Sequence, residues 1–151
     1  MTDDLDGAVL LARAHRPADD WKDAIREACA PLLDAGAITD TYPARCVALV
    51  EEHGPYIVLA PGIALAHARP EDGVRQLAVA AVTLDDPVTF DHPDNDPVDV
   101  VFAFGSPDTD QHVGLLSSLA GHLLTGLADR LRAADDDAAA QRVLEEVRDE
   151  P

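Results

Sequence analysis

The chain has 151 residues, with apolar residues at 47%, which is one ordinary domain's worth of core-forming material and predicts a single domain over 1–151. Its formal charge of −18, with Lys22 as the one lysine against ten arginines, repels phosphate backbones and argues against nucleic-acid binding. The first residues carry no basic segment, no apolar run approaches a membrane span, and there is no GxxxxGK[ST] for a P-loop, so a soluble, cytoplasmic protein without direct membrane insertion is expected.

In chain order, "DDWKDAIREACAPLLDAG" places Trp21, Ala24, Ile25, Ala28, Leu32 and Leu33 on one helical face, with an acidic start and a Gly36 stop. "TDTYPARCVALVEEHG" predicts a second helix, capped by Asp40 or Thr41, with Pro43 in its first turn and Gly54 after its end. Cys29 and Cys46 fall within these helices, without CxxC spacing, and read as buried free thiols.

The texture then changes to short runs rich in β-branched residues, "YIVLA", "IALAHA", "QLAVAAVTL", "VTF" and "VDVVFAFG", divided by Pro, Gly and Asp clusters. Five strands are predicted, and the almost continuously apolar runs 76–84 and 98–105 suit central strands covered on both faces. A Leu-spaced helix follows through Leu116, Leu119, Leu123, Leu124 and Leu127, with Asp108 or Asp110 at its start, and a last helix spans roughly 136–148. The sum is an α/β domain, a mixed five-stranded sheet flanked by helices.

Imidazole is the side chain here that combines nucleophilicity with titration near neutrality. His15 and His53 lie near predicted helix ends and carry little functional weight, and His122 reads as a core-edge residue. His67 ends a strand and precedes "ARPEDG", where a structural role is the first reading from spacing alone. His112 opens a helix, whose free N–H groups attract anions. If folding joins His67 and His112, they form an electropositive pocket suited to a phosphoryl group.

His92 sits in "FDHPDNDPVDVV", whose carboxylates imitate a calcium loop, but Pro93 and Pro97 break that pattern and no twelfth-position Glu follows. A metal module built on His67, His92 and His112 is the weakest alternative, and no metal or other cofactor is expected. There is no GxSxG elbow, and Ser106, Ser117 and Ser118 lack a base at a telling spacing, which argues against a serine hydrolase.

Taken together, "HGPYIVLAPGIALAHARPEDGV", "TLDDPVTFDHPDNDPVDVVFAF" and "HVGLLSSLAGHL" resemble the enzyme IIA domain of the mannitol–fructose class of the bacterial sugar phosphotransferase system. "GPYIVLAPG" and "HARPEDGV" resemble its ascorbate-type subgroup. The resemblance implies a phosphotransferase: a histidine accepts a phosphoryl group from the phosphocarrier HPr and passes it to a cysteine on a cognate IIB component, which serves a IIC permease. It puts His67 on the phosphorylated histidine and His112 on the second active-site histidine, with no ATP or metal at this step. The alternative within the same fold is a regulatory, nitrogen-branch-like domain that signals through its phosphorylation state and moves no sugar.

Two positions depart from the family pattern. Ala66 stands where the family usually has Pro immediately before the active histidine. Glu51 stands where many mannitol and fructose members carry an arginine, which leaves Arg69 as the candidate for supporting charge.

Overall fold

The structure, a computed structural model, describes residues 8–124 and 126–148. The elements are β1 (Val9–Arg16), α1 (Trp21–Asp34), α2 (Thr41–His53), β2 (Val58–Ala60), β3 (Ile63–Ala66), β4 (Ala78–Val88), β5 (Val98–Gly105), α3 (Thr109–Leu124), α4 (Leu127–Arg132) and α5 (Asp137–Glu145), with short 3-10 turns at Pro70–Asp72 and Glu146–Arg148. The five strands form one sheet in the order β1-β4-β5-β3-β2. β1 is parallel to β4 and β3 to β5, whereas β4–β5 and β2–β3 are antiparallel, so the sheet is mixed as predicted.

Alternation along the strands sends side chains to two cores. Ala64, Ala66, Ala80, Val82, Val101 and Ala103 pack under α1 and α2, against Ile25, Ala28, Leu32, Tyr42 and Val47. Leu65, Val79, Ala81, Val100, Phe102 and Phe104 face the other way, against Leu119, Leu127, Leu131 and Leu144. β4 and β5 lie in the sheet interior, which accounts for their apolar runs.

α1 begins where the Asp20 side chain accepts a hydrogen bond from the Asp23 amide, and Gly36 beyond its end adopts φ 74°. α2 has Asp40 at its cap position without a side-chain bond; there the Tyr42 amide donates to the Thr39 carbonyl instead. Both cysteines are buried and free, as read from the sequence.

Three expected elements differ. Segment 9–16, not read as a strand from the sequence, is β1 at the edge of the sheet, with the alternating burial of a half-covered strand. "VTF" is no separate strand: Val88 continues β4 across a register shift and pairs with Val98. The long Leu-spaced helix is two helices, α3 and α4, because Gly126 takes φ 96°, outside the helical region.

The outer edge of β1 is covered by side chains of α5. The Gln141 amide accepts from the Ala12 N–H at 2.7 Å and donates to the Leu10 carbonyl at 2.6 Å, and the Asp137 carboxylate accepts from the Ala14 N–H at 2.8 Å. These bonds satisfy backbone groups that would otherwise template pairing with another chain.

Candidate functional site

β2 and β3 form a hairpin about Pro61 and Gly62, in which Val58 pairs with Ala64 and the Leu65 amide donates to the Ile57 carbonyl. The same symmetry carries Tyr56, before β2, alongside His67, after β3. The two rings meet edge to face at 5.8 Å, and His67 stacks on Phe104 of β5 at 5.2 Å and 27°. These aromatic walls leave the imidazole half-buried.

The ring is oriented by its own backbone. His67 Nδ1 lies 3.0 Å from the Leu65 carbonyl oxygen. A carbonyl only accepts, so Nδ1 carries the proton and the neutral ring has its lone pair at Nε2. Burial pushes the His67 pKa below the ordinary imidazole value, with the Leu65 carbonyl pulling the other way. Burial therefore favours the neutral form of the ring.

A titration tests this directly. The nuclear magnetic resonance midpoint of His67 is expected below about 6.5, the unperturbed value, so most of the ring remains neutral at that pH. Between the folded and unfolded pKa values the unfolded chain binds more protons, so this group's contribution to stability falls as pH drops from about 6.5 to the folded midpoint. A midpoint above 6.5 would contradict the apolar setting.

A cavity of about 580 Å³ opens beside the ring, lined by Leu49, His53, Tyr56, His67, Ala68, Arg69, Pro70 and Glu71. Arg69 is exposed at its rim, two residues beyond His67. Its backbone N–H donates to the Asp72 carboxylate at 2.9 Å, and Arg45 approaches that same carboxylate at 3.5 Å. Among the described residues the Arg69 guanidinium forms no ion pair, and Arg69 lines the cavity wall. His53, at the end of α2, adds a second imidazole to the wall and lies 6.3 Å from the Tyr56 ring.

His53 carries little weight when read from its position near a helix end, yet it shares the cavity with His67. The hairpin symmetry about "PG" was the available signal: it places the "HGPY" segment opposite the strand end that carries His67. Glu51 is not among the cavity-lining residues and instead meets Lys22 of α1 at 3.4 Å. Ala66 is fully buried as the last residue of β3, paired with Ala103.

His112 falls in the first turn of α3, as expected, but its side chain lies outside the described residues. Its backbone placement is informative. Parallel β3 and β5 end side by side, His67 follows the first, and α3 starts four residues after the second, at the same edge of the sheet. Carboxyl ends of parallel strands and helix N-termini are where α/β folds receive anions.

His92 belongs elsewhere. Its Nδ1 accepts from the Asp94 and Asn95 amides at 3.1 Å, and Asp96 gathers the Thr89 hydroxyl and the Phe90 and His92 amides. Among the described residues no three His, Cys, Asp or Glu side chains converge as metal ligands. No helix among them is long and apolar enough to cross a membrane.

Residues 11–147 match the family model described as phosphoenolpyruvate-dependent sugar phosphotransferase system, EIIA 2. The chain belongs to that family. The EIIA domain is 42% identical over 106 residues, 69% of each chain, to the ascorbate-specific PTS system EIIA component of Shigella boydii. It is 36% identical over 135 residues, 88% of its own length and 86% of the relative's, to the component of that name from Salmonella paratyphi A. Among solved structures, the mannitol-specific cryptic phosphotransferase enzyme IIA CmtB from Escherichia coli superposes with a TM-score of 0.82 at 26% identity, covering 96% of this EIIA domain and 99% of that chain.

Proposed function

We propose that this EIIA domain is a protein-histidine phosphocarrier that takes a phosphoryl group from phosphorylated HPr onto His67 and delivers it to a cognate IIB component. The observation that carries the reading is the His67 ring itself: buried enough to stay neutral, pinned by Nδ1 to the Leu65 carbonyl, and set in the wall of an open cavity. The sugar taken up by the system it serves is ascorbate or a related sugar acid, a reading supported by the names of the relatives at 36–42% identity. Neither of those names favours the regulatory alternative.

The step balances without a further reactant. The Nε2 lone pair attacks phosphorus in line as the N–P bond of the donor phosphohistidine breaks, and that bond's electron pair returns to the donor ring. The new positive charge on the His67 ring spreads to Nδ1–H, where the Leu65 carbonyl oxygen stabilises it. Transfer onward reverses these roles, with a IIB cysteine thiolate as the attacking group. Little covalent work falls to the protein, so positioning and charge carry the catalysis. Arg69 neutralises the equatorial oxygens, and His112 with the α3 N-terminus takes the family's stabilising role. The place of action is the cytoplasm, where the carrier proteins reside.

Incubation with phosphoenolpyruvate, enzyme I and HPr is expected to add one phosphoryl group, roughly 80 Da by intact mass. No gain under conditions that phosphorylate HPr would refute the proposal.

A further inference from the structure

β3 and β5 run in parallel register up to the pair Ala66 and Ala103, and one step further they stop meeting directly. Between them stands the phenol of Tyr42, the second residue of α2 and fully buried. Its hydroxyl donates to the Phe104 carbonyl at 2.7 Å and accepts from the Ala68 amide at 2.9 Å, with the Ala68 carbonyl at 3.4 Å. One oxygen thus replaces the next rung of the ladder. The two backbone groups it joins flank the imidazole: Ala68 follows His67, and the Phe104 ring is the platform on which His67 stacks.

The end of β5 leaves room for this bridge. A methyl group added at Gly105 would come within 2.8 Å of a Val74 methyl and 3.5 Å of the Tyr42 hydroxyl. Burial also raises the phenol's pKa, so the hydroxyl keeps its proton and the bridge does not titrate in the physiological range.

We propose that Tyr42 is the positioning residue of the acceptor site: by tying Ala68 to Phe104 through its hydroxyl, it holds the His67 ring in the orientation that commits Nδ1 to Leu65 and leaves Nε2 as the nucleophile. Tyr42 acts through the backbone and touches no reacting atom. The inference rests on the reading of His67 as the phosphoryl acceptor.

Tyr42→Phe removes the bridging oxygen and keeps the ring that fills the core. In the unphosphorylated variant, long-range proton–nitrogen correlation is expected to show His67 as a mixture of tautomers, where the parent shows only the Nδ1–H form. The kcat for acceptance from phosphorylated HPr is expected to fall about tenfold to a hundredfold, with KM for HPr unchanged, because the misplaced group is the nucleophile and not the docking surface. Gln141→Ala serves as the stability control: it breaks side-chain bonds to β1, at the other edge of the sheet, and is expected to leave both readouts as in the parent.

A single His67 tautomer and parental kcat in Tyr42→Phe, or the same changes in Gln141→Ala, would overturn the proposal. If Tyr42→Phe does not fold, the parent protein still decides: the Ala68 amide is expected to be protected from hydrogen exchange, and fast exchange there overturns the bridge. If the parent accepts no phosphoryl group, the acceptor reading fails by itself, and the tautomer comparison still reports on Tyr42.

Discussion

Replacing His67 with asparagine is expected to abolish phosphoryl acceptance while leaving the domain folded. Asparagine can place an N–H near the position of Nδ1 and keep the bond to the Leu65 carbonyl, but its amide nitrogen has no free lone pair with which to attack phosphorus. The half-buried site tolerates the polar replacement, so the stability change is expected to stay near 1 kcal/mol, about 2–4 °C in melting temperature. Intact mass after incubation with phosphoenolpyruvate, enzyme I and HPr, together with a thermal melt, checks both halves. A mass gain that survives the substitution would move the acceptor to another residue.

The largest stability effect is expected at Phe104, which joins the core to the site. Its ring is fully buried beneath the sheet, its backbone pairs with Val79 of β4, and its face supports His67. Phe104→Ala removes the ring and leaves a cavity that the surrounding sheet cannot close, a loss of about 3–5 kcal/mol. Against a total of roughly 5–15 kcal/mol for a domain of this kind, that is a large share of the folding free energy. Urea unfolding monitored by circular dichroism reads the loss. A value under about 1 kcal/mol would contradict the tight packing assigned to this end of β5.

The parts of the fold that the sequence showed clearly are those whose signal is local. α1 and α2 could be read from 3.6-residue spacing and from the glycines beyond their ends, and β5 from an apolar run bounded by Pro97 and Gly105. β1 was not legible in that way. Its alternation is weakened by Arg13, His15 and Arg16, and its partner β4 begins more than sixty residues later, so nothing near it in the chain announces a parallel edge strand. The break between α3 and α4 was hidden because leucine spacing continues through it, and among the described residues it is the left-handed backbone of Gly126 that marks it.

The candidate site divides along the same line. His67 and Arg69 lie within one contiguous motif: the family resemblance pointed to His67, and Arg69 entered as a candidate supporting charge because Glu51 stands at the family's arginine position. Tyr42, His53 and Tyr56 reach the site only through tertiary geometry, the first by insertion between two strand ends and the others by the turn of α2 into the β2–β3 hairpin. Glu51 shows the converse case. It stands where many family members carry an arginine, but its side chain pairs with Lys22 of α1 and does not line the cavity. The break in the family pattern at that position therefore puts no negative charge into the cavity wall, and Ala66 keeps its place at the end of the β3 ladder without the usual proline.

The central claim is chemical and concerns one nitrogen. The domain phosphorylated by HPr, studied by phosphorus and long-range proton–nitrogen magnetic resonance, is predicted to carry phosphorus on Nε2 of His67 while Nδ1 remains protonated against the Leu65 carbonyl. Phosphorus on Nδ1 of His67, or on any other side chain, would contradict it.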